Sequence, residues 1–258
     1  MSSGNILDRD RLTRLSVNVN KIATLRNSRG GSQPNLLDAV DVCVAAGAPG
    51  ITVHPRADRR HITPDDVRQI ARALRNRAAP VEFNVEGDPR PELLDLVEDI
   101  RPDQCTLVPV SPGEVTSQAG WRPGSETGRR LREAIQRLHA AGVRVSLFVD
   151  ASPDPIRWAA SIGADRVELY TEPFARACEA GIDAGRRAFA SYVEASELAH
   201  HLGLGINAGH DLDLGNLVVF RDLPHLAEVS IGHAIVSRAL YVGLATVVRE
   251  YLQALGSV

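Results

Sequence analysis

Short apolar runs alternate with helical patterns along the whole of this chain, and this alternation constrains the fold more than any other feature. The runs have the length and composition of buried strands, and Gly47, Gly142, Gly163 and Gly203 follow helical patterns where the chain must turn back. Glycine ends helices at low cost because it adopts the left-handed conformation. Repeated crossovers of this kind favour a closed (β/α)₈ barrel, within the α/β class.

Eight strands are predicted, at residues 15–20, 50–54, 81–85, 104–108, 143–150, 166–170, 204–207 and 228–231. Helices are predicted at residues 35–46, 64–75, 91–100, 126–141, 154–162, 185–202, 212–220 and 237–255, with Asn35 and Thr63 as N-caps. An open doubly wound sheet is the alternative arrangement. It would carry a G-x-G-x-x-G fingerprint after the first strand, and the segment after Lys21 lacks that spacing.

The length of 258 residues, 44% of them hydrophobic, fits a single barrel domain spanning residues 1–258. Residues 1–14 form a polar N-terminal extension, and residues 109–125, rich in Gly, Ser, Thr and Pro, are predicted to form an active-site lid. The net charge of −3 indicates no nucleic-acid partner, and no run reaches the ~20 apolar residues of a membrane span. Sparse cysteines and the absence of an apolar leader predict a cytoplasmic protein.

Polar side chains end several of the predicted strands, and in a barrel of parallel strands these ends form the active-site face. His54, His210 and His233 each follow an apolar run, and Glu82 lies within another. Histidine titrates near neutral pH and can transfer protons, whereas a carboxylate in an apolar strand is costly to bury without a partner. We therefore predict that Glu82 points into the barrel mouth and shares acid–base chemistry with the histidines.

Two features predict sites for phosphate. Arg56, beside a strand end, can hold a phosphate through charge-assisted hydrogen bonds. Gly232 lets backbone N–H groups approach an anion after the last strand, where many barrels bind phosphate. Asp211 departs from this pattern, since its charge would repel phosphate unless it turns away or binds an amine. Asn18 and Asn20 share one face of the first strand, where buried amides need polar partners.

Lys21 is the single lysine among the 29 basic residues. Either it survived by chance in an arginine-rich chain, or its position requires a compact amine that a guanidinium cannot replace. A metal site is not expected, because His54, His61, His210 and His233 lie apart along the sequence without H-x-x-x-H spacing.

Six ordered motifs resemble the pyridoxine 5′-phosphate synthase family, and the resemblance runs from about residue 15 to the C-terminus. They are NVNKIATLRNSRG at residues 18–30, GITVHPR at 50–56 with RRHI at 59–62, LVP at 107–109 with EVT at 114–116, VSLFVD at 145–150, NAGH at 207–210 and IGHAI at 231–235.

This resemblance implies a barrel with extra helices that condenses 1-deoxy-D-xylulose 5-phosphate with 3-amino-2-oxopropyl phosphate. The products would be pyridoxine 5′-phosphate, phosphate and water, formed by a transferase-type synthase without metal or organic cofactor, in a homo-octamer. By the matching motifs, His54 and Glu82 would accept protons and His210 would donate one. The amino-ketone phosphate would contact Asn18, Arg29, Asp211, Gly232 and His233, and the deoxyxylulose phosphate would contact Asn20, Lys21, Arg56, His61 and Thr116.

Two other functions stay open at this point. One is a Schiff-base aldolase or sugar-phosphate isomerase on the same barrel, with Lys21 as the covalent residue. The other is a non-catalytic barrel that only binds a phosphorylated metabolite. Borohydride trapping of a phosphorylated ketone on Lys21 would favour the first. Binding of substrates without formation of any product would favour the second.

Overall fold

Eight parallel strands close into a barrel in the computed structural model, which describes residues 12–110 and 119–256. Each strand pairs with the next along the chain, and the eighth pairs with the first. The predicted (β/α)₈ barrel is therefore confirmed, and the open doubly wound sheet is wrong. No helix in the described ranges is long and apolar enough to cross a membrane.

The strands are β1 (Arg14–Asn18), β2 (Gly50–Val53), β3 (Glu82–Gly87), β4 (Gln104–Leu107), β5 (Arg144–Val149), β6 (Arg166–Tyr170), β7 (Gly205–Gly209) and β8 (Leu226–Ile231). The helices of the described residues are α1 (Asn20–Asn27), α2 (Leu36–Ala45), α3 (Pro64–Arg75), α4 (Pro91–Ile100), α5 (Ser125–Ala140), α6 (Pro153–Ser161), α7 (Glu172–Glu179), α8 (Ile182–His201), α9 (Leu214–Phe220), α10 (His233–Val242) and α11 (Leu244–Ala254).

Local chemistry sets several of these boundaries. The Thr63 hydroxyl and the Asp66 carboxylate form a reciprocal capping box at the start of α3. Asn35 accepts hydrogen bonds from the first backbone N–H groups of α2. Both predicted N-caps are confirmed, and α4 has the predicted bounds.

Many predicted boundaries differ from the structure by a few residues, and three of these differences are the most informative. The first strand ends at Asn18, because its side-chain oxygen accepts from the backbone N–H of Asn20 and turns the chain into α1. The predicted helix at 237–255 is two helices, which meet at Gly243 with a left-handed φ of 86°. The third strand runs on to Gly87 rather than ending at 85.

The interior of the barrel is polar, while the layer between strands and helices is apolar. Ser16 and Thr52 share a 2.6 Å hydrogen bond, and Asn84 reaches the hydroxyl groups of Thr52 and Thr106. The amide of Asn207 on β7 approaches the side chain of Gln104 on β4 at 3.4 Å, a contact made across the lumen. Alternation along each strand thus points polar residues inward and Val, Ile and Leu outward toward the helices.

Candidate active site

A cavity of about 1280 Å³ opens at the C-terminal ends of the strands. Typical sites for one small ligand occupy roughly 300–1,000 Å³, so this cavity has room for two small molecules. Ten predicted site residues line it, namely Asn18, Asn20, Lys21, His54, Arg56, His61, His210, Asp211, Gly232 and His233.

The other three predicted site residues do not join this group in the described structure. Arg29 is exposed just after α1 and lies outside the cavity lining. Thr116 lies outside the described residues, as do residues 111–118 of the predicted lid, residues 1–11 of the predicted extension, and residues 257–258. Glu82 is described, and it lies elsewhere.

The predicted position of Glu82 at the barrel mouth is wrong. Glu82 is the first residue of β3, so it lies at the N-terminal end of the barrel, opposite the cavity. There its carboxylate binds the guanidinium of Arg14 at 2.7 Å and that of Arg144. The prediction failed because Glu82 stands at the start of the strand, whereas only residues at the C-terminal end of a strand reach the mouth of a parallel barrel.

Glu86 occupies the place that was predicted for Glu82. It lies near the C-terminal end of β3, is 5% exposed and lines the cavity. Residues 82, 84 and 86 share one face of the strand because strand side chains alternate. The signal that could have found Glu86 was this period of two, which places it on the same face as Glu82 and Asn84. Glu168 and Tyr170 on β6 also line the cavity and were missed.

His54 and Glu86 form the centre of the site. The His54 Nδ1 atom lies 3.7 Å from the Glu86 Oε2 atom, slightly beyond hydrogen-bond distance. The Asn18 amide donates to the same carboxylate oxygen at 3.3 Å, and Asn20 accepts from the backbone N–H of His54 at 2.9 Å. The His54 Nε2 atom is buried without a hydrogen-bond partner among the described residues. Such an atom indicates a ligand group in the cavity.

Burial controls protonation at this centre. Burial, followed by the charges of Arg56 and His61, lowers the pKa of His54 well below its usual value. Burial and the charge of Glu228 raise the pKa of Glu86 to about 8. At neutral pH the imidazole is therefore neutral and free to accept a proton, while the carboxyl group retains one.

His210 is held in a strained backbone conformation at the end of β7. Its φ is 79° and that of Asp211 is 57°, values that non-glycine residues rarely adopt. The Thr171 hydroxyl donates to the carbonyl oxygens of Gly209 and His210, which fixes this turn. The imidazole packs against the ring of Phe148, with centroids 4.6 Å apart. Burial lowers the pKa of His210 to about 4, so the ring is neutral in the free protein.

One side of the cavity is basic. Lys21, Arg56, Arg60 and His61 line it together, next to the ends of β1 and β2. Burial, with the charges of Arg56 and Arg60, lowers the pKa of His61 to about 4. A concentration of cations beside a neutral imidazole favours an anionic group such as phosphate.

The N-terminus of α10 also faces the cavity. His233 is the first residue of this ten-residue helix, and Gly232 precedes it. A Cβ atom on Gly232 would lie 2.7 Å from the backbone oxygen of Asn18, so only glycine fits there. Backbone N–H groups and the helix dipole therefore meet the cavity, an arrangement that binds anions.

The opposite side is acidic. Glu172 and Glu179 of α7 line it with Asp211. Burial and the neighbouring Glu172 raise the pKa of Asp211. Arg176 of α7 also lines this side and pairs with Glu172. The cavity thus has a basic side near β1 and β2 and a mainly acidic side near β6 and β7.

The end of the predicted lid is anchored beside β5. The Gly120 N–H donates to the Asp150 carboxylate at 2.9 Å, and the Trp121 indole N–H donates to the carbonyl of Leu107 at 2.8 Å. In the described ranges, no group of three or more His, Cys, Asp and Glu residues is placed to hold a metal ion.

Fold and cavity together define a (β/α)₈ barrel with an acid–base centre between an anion-binding side and an acidic side. The same barrel occurs in phosphoribosylanthranilate isomerase from Thermotoga maritima, at a TM-score of 0.58 and 14% identity over 96% of this chain and 100% of that one. It occurs again in phosphoribosyl anthranilate isomerase from Thermus thermophilus, at a TM-score of 0.57 and 18% identity over 95% and 99%.

Sequence relationships identify the family. The model of the pyridoxal phosphate biosynthesis protein PdxJ matches residues 15–257, and the chain belongs to this family. A pyridoxine 5′-phosphate synthase of Porphyromonas gingivalis is 51% identical over 93% of this chain and 98% of its own length. A protein of the same name from Leptospira biflexa is 46% identical over 95% and 97%.

Proposed function

We propose that this chain is a pyridoxine 5′-phosphate synthase that condenses 1-deoxy-D-xylulose 5-phosphate with 3-amino-2-oxopropyl phosphate. The products are pyridoxine 5′-phosphate, phosphate and water. The observation that carries the proposal is the meeting of His54, Glu86 and His210 in one cavity beside two anion-binding features. Ring closure from an amine and a ketone needs several proton transfers and no redox step, which such a cavity can support.

In this proposal His54 is a proton acceptor. Its neutral imidazole presents an unpartnered Nε2 to the cavity, and its Nδ1 faces Glu86. When Glu86 gives up its proton, the resulting carboxylate stabilises the charged ring that forms as His54 takes a proton up. Glu86 therefore replaces Glu82 in the catalytic set, and it passes protons to and from His54 and the substrate.

His210 is proposed as the proton donor. Its ring is neutral in the free protein because it is buried. Phosphate anions that enter with the substrates favour the charged imidazole, so substrate binding raises its pKa and supplies the proton. Its fixed turn and its packing on Phe148 hold the ring toward the cavity.

The two phosphate groups are proposed to bind at different places. The phosphate of the deoxyxylulose binds on the basic side, with Lys21, Arg56 and His61, and with Asn20 nearby. The phosphate of the amino ketone binds at Gly232 and His233, and its amine faces Asp211 and Asn18. Arg29 and Thr116 remain proposed substrate contacts from the family motifs, as does the role of residues 109–125 as a lid.

Three further properties of the enzyme are part of this proposal. The enzyme works in the cytoplasm, as a homo-octamer and without metal or organic cofactor. Light scattering on the purified protein measures the assembly, and a mass of eight chains is expected. A monomer that has full activity would contradict the octamer.

The direct test is incubation of the purified protein with both substrates. We expect pyridoxine 5′-phosphate, detected by its absorbance and by mass, and one phosphate released per product. His210→Asn should abolish ring formation, while circular dichroism and substrate binding remain those of the folded protein. Wild-type turnover in this variant would remove His210 from the mechanism.

The Schiff-base alternative depends on Lys21. The side chain of Lys21 is exposed at the cavity edge, whereas amines of this kind are activated by desolvation. We expect Lys21→Arg to keep the chemical step and to raise KM for the deoxyxylulose phosphate about tenfold or less. Borohydride trapping of a phosphorylated ketone on Lys21 would favour the aldolase or isomerase, and saturable binding of both substrates without product would favour the non-catalytic barrel.

A further inference from the structure

Three glutamates from three strands are buried in the lumen, between the catalytic centre and the base of the barrel. Glu86 of β3 is 5% exposed, and Glu168 of β6 and Glu228 of β8 are each 2% exposed. Glu86 and Glu168 line the cavity, whereas Glu228 lies below it and outside its lining. We call these three residues the lumen carboxylates.

The cations of the lumen lie toward its base, near Glu228 and away from Glu86 at the mouth. Arg14 and Arg144 are bound to Glu82 at the base of the barrel, and Arg166 donates to the Asn207 side chain at 2.9 Å. Among the residues of ranges 12–110 and 119–256, no arginine or lysine lies within 4.0 Å of the lumen carboxylates. Because buried charges without counter-ions are costly, these carboxyl groups retain protons instead.

The surroundings of Glu86 make its protonation sensitive to its neighbours. Asn18 and the Ser230 hydroxyl stabilise its anion by hydrogen bonds. Ser230 lies two residues after Glu228 on β8, so their side chains share the inner face of the strand. The titratable or charged groups that face Glu86 or its cluster are His54 from β2, Cys105 from β4, Glu168 from β6, Glu228 from β8, and at the base Arg14, Glu82, Arg144 and Arg166.

The shifts of the lumen carboxylates agree with this arrangement. Burial and then the charge of Glu82 raise the pKa of Glu228 to about 7, against the opposing charges of Arg166, Arg14 and Arg144. Burial raises the pKa of Glu168 well above its usual value, and the charges of Glu86 and Glu228 add to this. Groups that interact in this way titrate as a set rather than one at a time.

We propose that the lumen carboxylates share protons as one cluster, and that Glu228 acts through this cluster as a positioning residue for the proton on Glu86. The inference rests on the proposed function, in which Glu86 exchanges protons with His54. An ionised Glu228 disfavours ionisation of Glu86, because two nearby buried negative charges repel. Glu228 thus controls the acid–base centre without touching the substrate.

Two substitutions should move the titration of Glu86 in opposite directions. Glu228→Gln removes a negative charge, so the midpoint should fall on the order of one pH unit. Ser230→Ala removes a hydrogen bond to the anion, so the midpoint should rise. Ser146→Ala is the matched control, because Ser146 is a buried lumen hydroxyl on β5, and it should leave the midpoint unchanged.

Two measurements on the full-length protein read this midpoint. Infrared spectroscopy of the free protein detects protonated carboxyl groups as pH is varied, and the pH profile of kcat/KM reports the same groups during catalysis. We expect protonated carboxyl groups in the wild type at pH 7 and parallel shifts in both measurements. Glu228→Asp, which keeps the charge, should restore the wild-type profile, and Glu228→Met serves as a second neutral variant if Glu228→Gln does not fold.

The outcomes separate this proposal from the proposed function. An unchanged midpoint in the neutral Glu228 variants, or no protonated carboxyl groups at pH 7, would overturn the cluster. Opposite infrared shifts in a protein that makes no pyridoxine 5′-phosphate would support the cluster and overturn the function. An equal loss of activity at all pH values, with no shift, would assign Glu228 a structural role only and overturn the inference.

Discussion

Glu82 and Glu86 lie four residues apart on the same face of β3, and both are buried, at 8% and 5% exposure. At the base of the barrel, Glu82 is held between the guanidinium groups of Arg14 and Arg144. At the mouth, Glu86 meets the Asn18 amide and the His54 imidazole, and no guanidinium of the described part of the chain forms an ion pair with it. The same side chain on the same strand is therefore part of a structural ion pair at one end and part of an acid–base centre at the other.

The difference teaches that the partner, rather than burial, decides what a buried carboxylate does. Two cations compensate the charge of Glu82 and fix its position at the base, away from the cavity. Glu86 lacks such compensation, and burial with the charge of Glu228 raises its pKa to about 8. Enzymes use this second arrangement to place a carboxyl group near the pH at which they work.

The largest effect is expected on activity. Glu86→Gln keeps the size and most hydrogen bonds of the side chain but cannot accept or release a proton. We expect kcat/KM to fall by about 10²–10⁴-fold, the usual contribution of a general acid or base. The measurement is steady-state formation of pyridoxine 5′-phosphate, with Glu82→Gln as the control on the same strand, and equal losses in the two variants would break the comparison.

A smaller effect is expected on stability. Glu82→Gln leaves Arg14 and Arg144 without their counter-ion. The side chains of these two arginines are only partly exposed to solvent, so water does not fully replace the carboxylate. We expect the free energy of unfolding to fall by about 1–3 kcal/mol, the cost of losing charged hydrogen bonds. Chemical denaturation measures it, and the folded fraction should keep most of its kcat. An unaltered free energy of unfolding would mean that the ion pairs of Glu82 do not stabilise the fold.

The smallest effect concerns the pH dependence of stability. The pKa of Glu86 is about 8 in the folded protein against a usual 4.5, so the folded state binds the extra proton between these values. Glu86 therefore stabilises the fold fully below pH 4.5, and this contribution is lost as pH rises through about 8. Because Glu86→Gln mimics the protonated group, its stability relative to wild type should rise with pH.

We expect this relative gain to be about 1–2 kcal/mol between pH 5 and pH 8, limited because Glu168 and Glu228 share the proton. Denaturation series at both pH values measure it, and Glu82→Gln should show no such gain. A relative stability of Glu86→Gln that falls with pH would contradict a raised pKa for Glu86.

Local features of the chain were predictable. Thr63 followed by Pro64 predicts a helix start, and α3 begins there with its capping box. The ten cavity residues were found because polar residues after apolar runs must gather at the strand ends once the barrel closes. Arg29 and Thr116 could be named only from family motifs; Arg29 lies outside the cavity lining, and Thr116 lies outside the described residues.

Glu86 and Glu228 could not be predicted in the same way. A short apolar strand has no sharp end in sequence, so the extension of β3 past Val85 to Glu86 and Gly87 was not predicted. The length of β3 is set by its pairing with β4, in which Gly87 pairs with Leu107. The identification of Glu228 depends on β8 lying beside β1 in the closed sheet, a contact between residues more than two hundred positions apart.

The sequence by itself determined the barrel, the capped starts of α2 and α3, and the gathering of histidines and arginines at one end, because these follow from periodicity, capping and strand direction. Only the tertiary structure decided which glutamate is neutralised and which is reactive. Charge compensation depends on which distant side chains share the lumen, and that becomes fixed when the eighth strand closes on the first.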